Sequence, residues 1–126
     1  MKRIYLLLLF FIHHSSLHAT EYYTYDKIDS TLHAWKNQFG EDYHSIFGQD
    51  YGVIYNLDTI GFSSQDSLPI FAVRLSDNAN VDEDEARVLI LGQCHAEEIY
   101  GVEITMALID CFLDPLHCSK YDDPQQ

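Results

Sequence analysis

The sequence predicts an α/β fold for this chain of 126 residues. Two stretches carry apolar residues at the three- and four-residue spacing of helices, and three short apolar stretches typical of strands lie between them. Turn-forming Gly, Ser, Asn and Asp residues separate the strands. The predicted order is therefore one helix, three strands and one helix. A strand buried on both faces needs helices on each side of its sheet, which two helices barely supply.

The first 19 residues have the composition of a secretory signal peptide. Lys2 and Arg3 precede an apolar run at residues 4–12, and an alanine at the end of the segment offers a cleavage site. The run is shorter than the roughly 20 residues that a membrane-spanning helix needs, so we expect no stable membrane anchor. We therefore expect a secreted or periplasmic protein whose domain occupies residues 20–126.

The charge of the chain excludes two classes of partner. Removal of residues 1–19 would take two of the seven basic residues and none of the 20 acidic ones, which leaves a formal charge of −15. Nucleic-acid binding needs Lys and Arg to neutralise phosphates, and anionic membrane surfaces attract the same residues. We therefore expect neither nucleic acid nor an anionic membrane as a partner.

The first helix is predicted from an apolar stripe that follows Thr24, a residue suited to cap a helix. The stripe residues are four, three and four positions apart: Ile28, Leu32, Trp35 and Phe39. Gly40 is suited to end the helix, and residues 41–52 are predicted to form a loop. His33 lies beside the stripe, and we interpret it as an ordinary surface or boundary histidine rather than a metal ligand.

Three strands are predicted, at residues 53–60, 69–75 and 87–91. A connection rich in Gly and Ser predicts a turn between the first two strands. The second connection contains four consecutive acids at residues 82–85, which invite comparison with a calcium loop. They lack the glycine and the terminal bidentate glutamate of an EF-hand loop, so a solvated hairpin turn is the preferred interpretation.

A polar cluster lies between the third predicted strand and the second predicted helix. Apolar residues at helical spacing run from Ile99 to Leu113 and stop before Pro115. His95 and Glu98 precede this helix and could aim an imidazole nitrogen and a carboxylate at one point. Both are ligand types that zinc prefers, and a catalytic zinc normally has three protein ligands and a water.

A second interpretation of the same cluster needs no metal. Glu97 and Glu98 can complement the positive end of the helix dipole, with about 0.3 to 1 kcal/mol each, while His95 lies at the helix boundary. The spacing alone does not decide between this interpretation and a metal site. Cys94 is expected to face away from any site, because neighbouring residues of a strand point to opposite faces.

The odd number of cysteines predicts at most one intramolecular disulfide. Cys111 and Cys118 would lie about 10 Å apart along a continuous helix, which is beyond disulfide reach. A helix break at Pro115 would permit the pair, whereas free thiols are the preferred interpretation.

The stretch "HAE" at residues 95–97 also fits the opening of the zinc deaminase signature, with Glu97 as proton shuttle. That signature ends in Pro-Cys-x-x-Cys. Here Cys118 follows Pro115 by three positions and no cysteine comes after it. The deaminase interpretation therefore lacks two ligands, and a secretory signal suits it poorly.

A longer pattern resembles the N-terminal part of the zinc metallocarboxypeptidase family. "YYTYDKI" and "TIGFSS" precede "LPIFAVRLSDNANVDEDEARVLILGQCHAEEIYGVEI", and the resemblance covers residues 22–113. Members of the family have a tyrosine-rich start, a Gly-x-Ser turn, a Pro-Ile strand, a Ser-Asp-Asn turn followed by acids, and a strand that ends in His-x-x-Glu. The resemblance implies that residues 20–126 are the N-terminal part of a catalytic domain with a mixed sheet flanked by helices.

The resemblance also implies a cofactor, Zn²⁺, with His95 and Glu98 as its first two ligands. The implied reaction removes the last residue of peptide or protein C-termini by a zinc-bound water. Glu97 occupies a position that is usually Arg and helps to hold the substrate, so substrate binding departs from the family pattern. In the family, the third zinc ligand and the catalytic glutamate lie farther along the chain than this sequence reaches. We therefore expect a truncated member that is inactive alone.

No other histidine is an evident third ligand. His117 is expected roughly 24 Å from the start of the second helix, which has about 16 residues. His44 remains open as a donor, although nothing in its surroundings suggests a ligand. Two alternatives to the carboxypeptidase hypothesis stay open: an amide-bond deacylase of the same superfamily, with which Glu97 is compatible, and a secreted, non-catalytic binding module.

Overall fold

The computed structural model of the protein describes residues 22–41 and 52–118. In chain order its elements are helix α1 (Tyr25–Phe39), strands β1 (Tyr55–Phe62) and β2 (Pro69–Leu75), helix α2 (Ile99–Leu113) and the short helix α3 (Pro115–Cys118). The two strands form an antiparallel sheet, so the α/β prediction is confirmed at this coarse level. The predicted signal peptide, most of the predicted loop at 41–52 and residues 119–126 lie outside the described residues. Among the described helices, none is long and apolar enough to cross a membrane.

Helix α1 begins and ends where the sequence predicts. The Thr24 hydroxyl accepts a hydrogen bond from the Lys27 N–H at 3.3 Å, and the Gly40 N–H donates to a carbonyl one turn earlier. The predicted apolar stripe packs against β1, and its residues Leu32 and Phe39 are buried. Local spacing and caps are therefore sufficient to define this helix.

Strands β1 and β2 form a hairpin whose turn explains why β1 extends two residues beyond its predicted end. The Ser63 N–H donates to the Leu68 carbonyl at 2.8 Å, and the Ser63 hydroxyl accepts from the Leu68 N–H at 2.9 Å. Ser67 adopts a left-handed backbone in this turn, with φ of 53°. The ladder therefore continues past a bulge before Gly61 and ends at Phe62. Strand β2 has its predicted bounds.

The prediction of a third strand at residues 87–91 is wrong. No backbone hydrogen bond joins residues 88–91 to any other described residue, and the segment belongs to no ladder. Val88 and Leu89 are 88% and 83% exposed, although their composition predicts burial on both faces. Apolar composition favours burial of a segment, whereas pairing requires a strand edge within hydrogen-bonding distance, and β2 bonds only to β1 among the described residues. The predicted hairpin turn at 76–86 is consequently a connection without a hairpin. Residues 81–86 are exposed, whereas Ala79 is buried and its N–H donates to the Val53 carbonyl at 2.6 Å.

The core lies where α1, the hairpin and α2 meet. Its buried side chains come from all of these elements: Leu32, Phe39, Tyr55, Leu57, Met106, Ile109 and Leu113. The Tyr55 side chain is 1% exposed, and its hydroxyl donates to the Leu32 carbonyl at 3.0 Å. Burial raises the pKa of the Tyr55 phenol. This packing holds α2 against the hairpin and thereby positions the residues that precede α2.

The chain turns sharply after α2, which corrects the prediction of free thiols at its end. Asp114 leaves the helix with an extended backbone, and α3 begins at Pro115. The turn brings the Cα atoms of Cys111 and Cys118 to 4.9 Å, and these two residues form a disulfide. The remaining cysteine, Cys94, is free and exposed.

Candidate functional site

The predicted pair of His95 and Glu98 lies in a tight turn directly before α2. The Glu98 N–H donates to the His95 carbonyl at 3.1 Å, and the Glu98 carbonyl accepts from the Gly101 N–H at 3.0 Å. Glu98 is thus the N-cap residue of α2. A Cβ at Gly101 would overlap the Gly92 carbonyl oxygen, so only glycine lets the chain before the turn lie this close to the helix.

The Glu98 carboxylate is the centre of the turn. One oxygen, Oε2, accepts hydrogen bonds from the N–H groups of Cys94 at 2.9 Å and His95 at 3.1 Å. The other, Oε1, lies 2.9 Å from His95 Nδ1. The hydrogen bond with the His95 imidazole lowers the pKa of Glu98, and the two backbone N–H groups lower it further. The side chains of His95 and Glu98 are 71% and 46% exposed, so both can be reached from solvent.

The two side chains fit a zinc site in kind and in spacing, but not in number. Ligand atoms bound tetrahedrally at 2.0–2.1 Å would lie about 3.3 Å apart, close to the 2.9 Å between His95 Nδ1 and Glu98 Oε1. Among the described residues, however, no third His, Cys, Asp or Glu joins this pair in a ligand group. The arrangement therefore offers one imidazole and one carboxylate, which is not a complete ligand set within the described residues.

The same contacts also change the interpretation in which Glu98 complements the helix dipole and binds no metal. The Glu98 side chain makes no capping hydrogen bond to the first turn of α2. Its carboxylate instead binds the N–H groups of residues 94 and 95, which precede the helix. Glu98 therefore stabilises the approach to the helix, a role that its position in the sequence did not predict.

The other residues that the sequence analysis considered for the site lie in different parts of the chain. Glu97 is exposed in the turn, beside the predicted ligands. Cys94 lies in the turn region rather than in a strand, so the strand argument for its orientation does not apply. His44 lies outside the described residues, and His117 belongs to α3, beyond the far end of α2.

A second acidic group was only partly visible in the sequence. The carboxylates of Asp77, Glu83 and Glu85 lie within 4.8 Å of one another, and all three residues are exposed. Glu83 and Glu85 belong to the predicted acidic run, whereas Asp77 joins them because the chain turns at residues 77–80. The Ser-Asp-Asn sequence at 76–78 was the available signal, since such residues favour turns. Exposed carboxylates in this arrangement give the connection a strongly negative potential.

We expect the turn at residues 94–98 to open as the pH falls. The pKa of Glu98 in the folded protein is depressed below its ordinary value of 4.5, so its stabilising contribution is complete above that value. The contribution is lost as the pH falls through the lower pKa of the folded state. An NMR titration should show the amide signals of Cys94 and His95 shifting together with the Glu98 carboxyl. Glu97→Gln should leave this transition intact; its persistence in Glu98→Gln would contradict the assignment.

Comparison with known protein families, with curated proteins and with solved structures found no match to this chain.

Proposed function

We propose that this chain is the N-terminal portion of a secreted, zinc-dependent metallocarboxypeptidase-type hydrolase, in which His95 and Glu98 are two of the zinc ligands. The observation that carries the proposal is the convergence of His95 Nδ1 and Glu98 Oε1, 2.9 Å apart on an exposed turn before α2. An imidazole and a carboxylate held this close are the ligands that zinc takes at hydrolytic sites. The order of motifs along residues 22–113, which resembles that family, supports the same assignment.

Backbone groups next to His95 and Glu98 hold the two side chains in position before any metal binds. The N–H groups of residues 94 and 95 bind one oxygen of Glu98 and turn the other towards the imidazole. Such hydrogen bonds orient metal ligands and tune their basicity. Zinc bound there would polarise a carbonyl oxygen and lower the pKa of a bound water. A working site also needs a third ligand and a general base, so we expect zinc binding but no turnover from this chain alone.

The disulfide supports the secreted location in this proposal. Cys111 and Cys118 are paired, and disulfides persist in oxidising compartments outside the cytosol. The predicted signal peptide at residues 1–19 agrees with that location.

The proposed substrates are peptide or protein C-termini, and Glu97 bears on this choice. An exposed carboxylate beside the ligand pair repels a terminal carboxylate of the substrate, whereas an arginine would attract it. This charge favours the amide-bond deacylase of the same superfamily as the second candidate. Once a completed site is available, hydrolysis of matched substrates with a free and an amidated terminus distinguishes the two activities.

The first test is zinc binding by isothermal titration of the full chain near neutral pH. We expect His95→Ala to weaken zinc binding by more than about tenfold, because loss of even an outer-shell partner costs 10- to 100-fold in metal affinity. Glu98→Gln should weaken it as well, since the substitution removes the ligand charge.

A matched control is present on α1. His33 Nδ1 lies 2.9 Å from Asp29 Oδ1 on an exposed helix face, so it has the same side-chain pairing without the turn. His33→Ala should retain the zinc affinity of the unmodified chain. Equal losses in the His33 and His95 variants, or no loss in either, would refute the assignment of the site.

A further inference from the structure

An apolar groove lies between the hairpin, the segment 88–91 and the two long helices. Residues of β2 and of the segment 88–91 line it and are called its walls below, while α2 contributes Val102, Met106 and Ile109 and α1 contributes Ile28 and Leu32. The volume of the groove is about 1290 Å³. Small-molecule pockets typically measure about 300–1,000 Å³, so this elongated groove is larger than such a ligand requires.

Both walls of the groove present backbone groups without partners among the described residues. Strand β2 pairs with β1 along one edge only. Segment 88–91 makes no backbone hydrogen bond to any other described residue. An extended peptide placed between these walls could bond to β2 on one side and to the segment on the other, as in β-strand addition. Its side chains on the two faces of the sheet would cover Val88 and Leu89 respectively, both of which are exposed.

The charge at one end of the groove restricts what can enter. Asp77 and Glu85 line that end, and Glu83 completes their acidic group. Arg74 and Arg87 also line the groove, but the Arg74 guanidinium donates to the Val81 carbonyl at 3.2 Å and the Arg87 guanidinium pairs with Asp82 at 2.6 Å. A second copy of the chain, with a formal charge of −13, would bring like charges to this surface and be repelled. Basic residues at the end of the bound segment would instead be attracted.

We propose that the groove binds an extended segment of a separate polypeptide as a β-strand inserted between β2 and residues 88–91. The bound segment has one apolar face and carries Lys or Arg at the end that meets Asp77 and Glu85. This interaction is independent of the proposed zinc site, since neither His95 nor Glu98 lines the groove.

The probe is the end-blocked peptide Lys-Val-Thr-Val-Thr-Val-Lys, titrated against the full chain by fluorescence polarisation. We expect saturable binding that weakens as salt is added. The same peptide with Glu in place of both Lys residues should bind at least about tenfold more weakly, because its charges face Asp77 and Glu85.

Two N-methylated forms of the peptide test insertion itself. Each form removes the backbone donors of one edge of the strand, and an inserted strand uses both edges. Both forms should therefore bind at least about tenfold more weakly than the parent. Sensitivity to only one of the two forms would overturn insertion.

Variants of the chain complete the test. Leu89→Lys places a positive charge on the wall of the groove and should abolish binding of the basic peptide. Ile104→Lys is the matched control, because Ile104 is an exposed apolar residue that does not line the groove. His95→Ala should bind the peptide normally even if zinc binding is lost, so the two proposals fail separately.

Other occupants would have distinct signatures. Dimerisation of the peptide-free chain in sedimentation experiments, lost in Leu89→Lys, would assign the groove to a second copy and overturn the proposal. Amine–carboxyl cross-linking of Lys2 to Glu83 or Glu85 would assign it to the chain's own apolar run at 4–12, with the same consequence. Equal binding of the Lys and Glu peptides would contradict the predicted charge of the partner.

Discussion

Replacement of Tyr55 by alanine is expected to lower the free energy of unfolding by about 3 to 5 kcal/mol, the range for large buried aromatic side chains. The ring lies at the centre of the core, 1% exposed, between α1 and β1. Alanine would leave a cavity and would also remove the hydrogen bond to the Leu32 carbonyl. Natural domains unfold at a cost of only about 5 to 15 kcal/mol, so this variant should lose a large share of the stability of the fold. Urea denaturation followed by circular dichroism measures the change.

Two further variants separate packing from hydrogen bonding at Tyr55. Tyr55→Phe keeps the ring and removes the hydroxyl, so the expected loss is about 1 kcal/mol. Tyr100→Ala removes a tyrosine that is exposed on α2 and should change stability by no more than about 0.5 kcal/mol. Similar losses in Tyr55→Ala and Tyr100→Ala would show that the core does not depend on Tyr55.

Loss of the disulfide is expected to have the next largest effect. Cys111→Ser opens a loop closed over seven positions, and chain entropy predicts a loss of about 2 to 3 kcal/mol for a loop of this size. The disulfide ties α3 to the last turn of α2, which contributes Ile109 and Leu113 to the core. We expect the urea midpoint of Cys111→Ser to fall and the protein to gain a second titratable thiol.

The cysteines themselves supply the controls for this experiment. Cys118→Ser should match Cys111→Ser, because either substitution breaks the same bond. Cys94→Ser should leave the midpoint unchanged, since Cys94 is free and exposed. If a reducing agent leaves the midpoint of the unmodified chain in place, the disulfide does not stabilise the fold.

The two long helices and the second strand could be predicted because their signals are local. Thr24 and Gly40 bound a stripe of apolar residues at helical spacing, and the structure has α1 between them. The proximity of His95 and Glu98 was also predictable, since three positions at the start of a helix bring two side chains together. The bonds of Glu98 to the N–H groups of residues 94 and 95 were not, because they depend on the path of the turn.

By itself, the sequence determined the two long helices, strand β2, the strongly acidic charge and the pairing of one imidazole with one carboxylate before α2. Each of these follows from residues a few positions apart or from composition alone. Only the tertiary structure decided that Cys111 and Cys118 pair, that Asp77 joins Glu83 and Glu85, and that residues 88–91 remain exposed. Those outcomes depend on where the chain turns and on which strands lie beside one another. Apolar residues favour burial of a segment, and the arrangement of the surrounding elements decides whether the segment is buried.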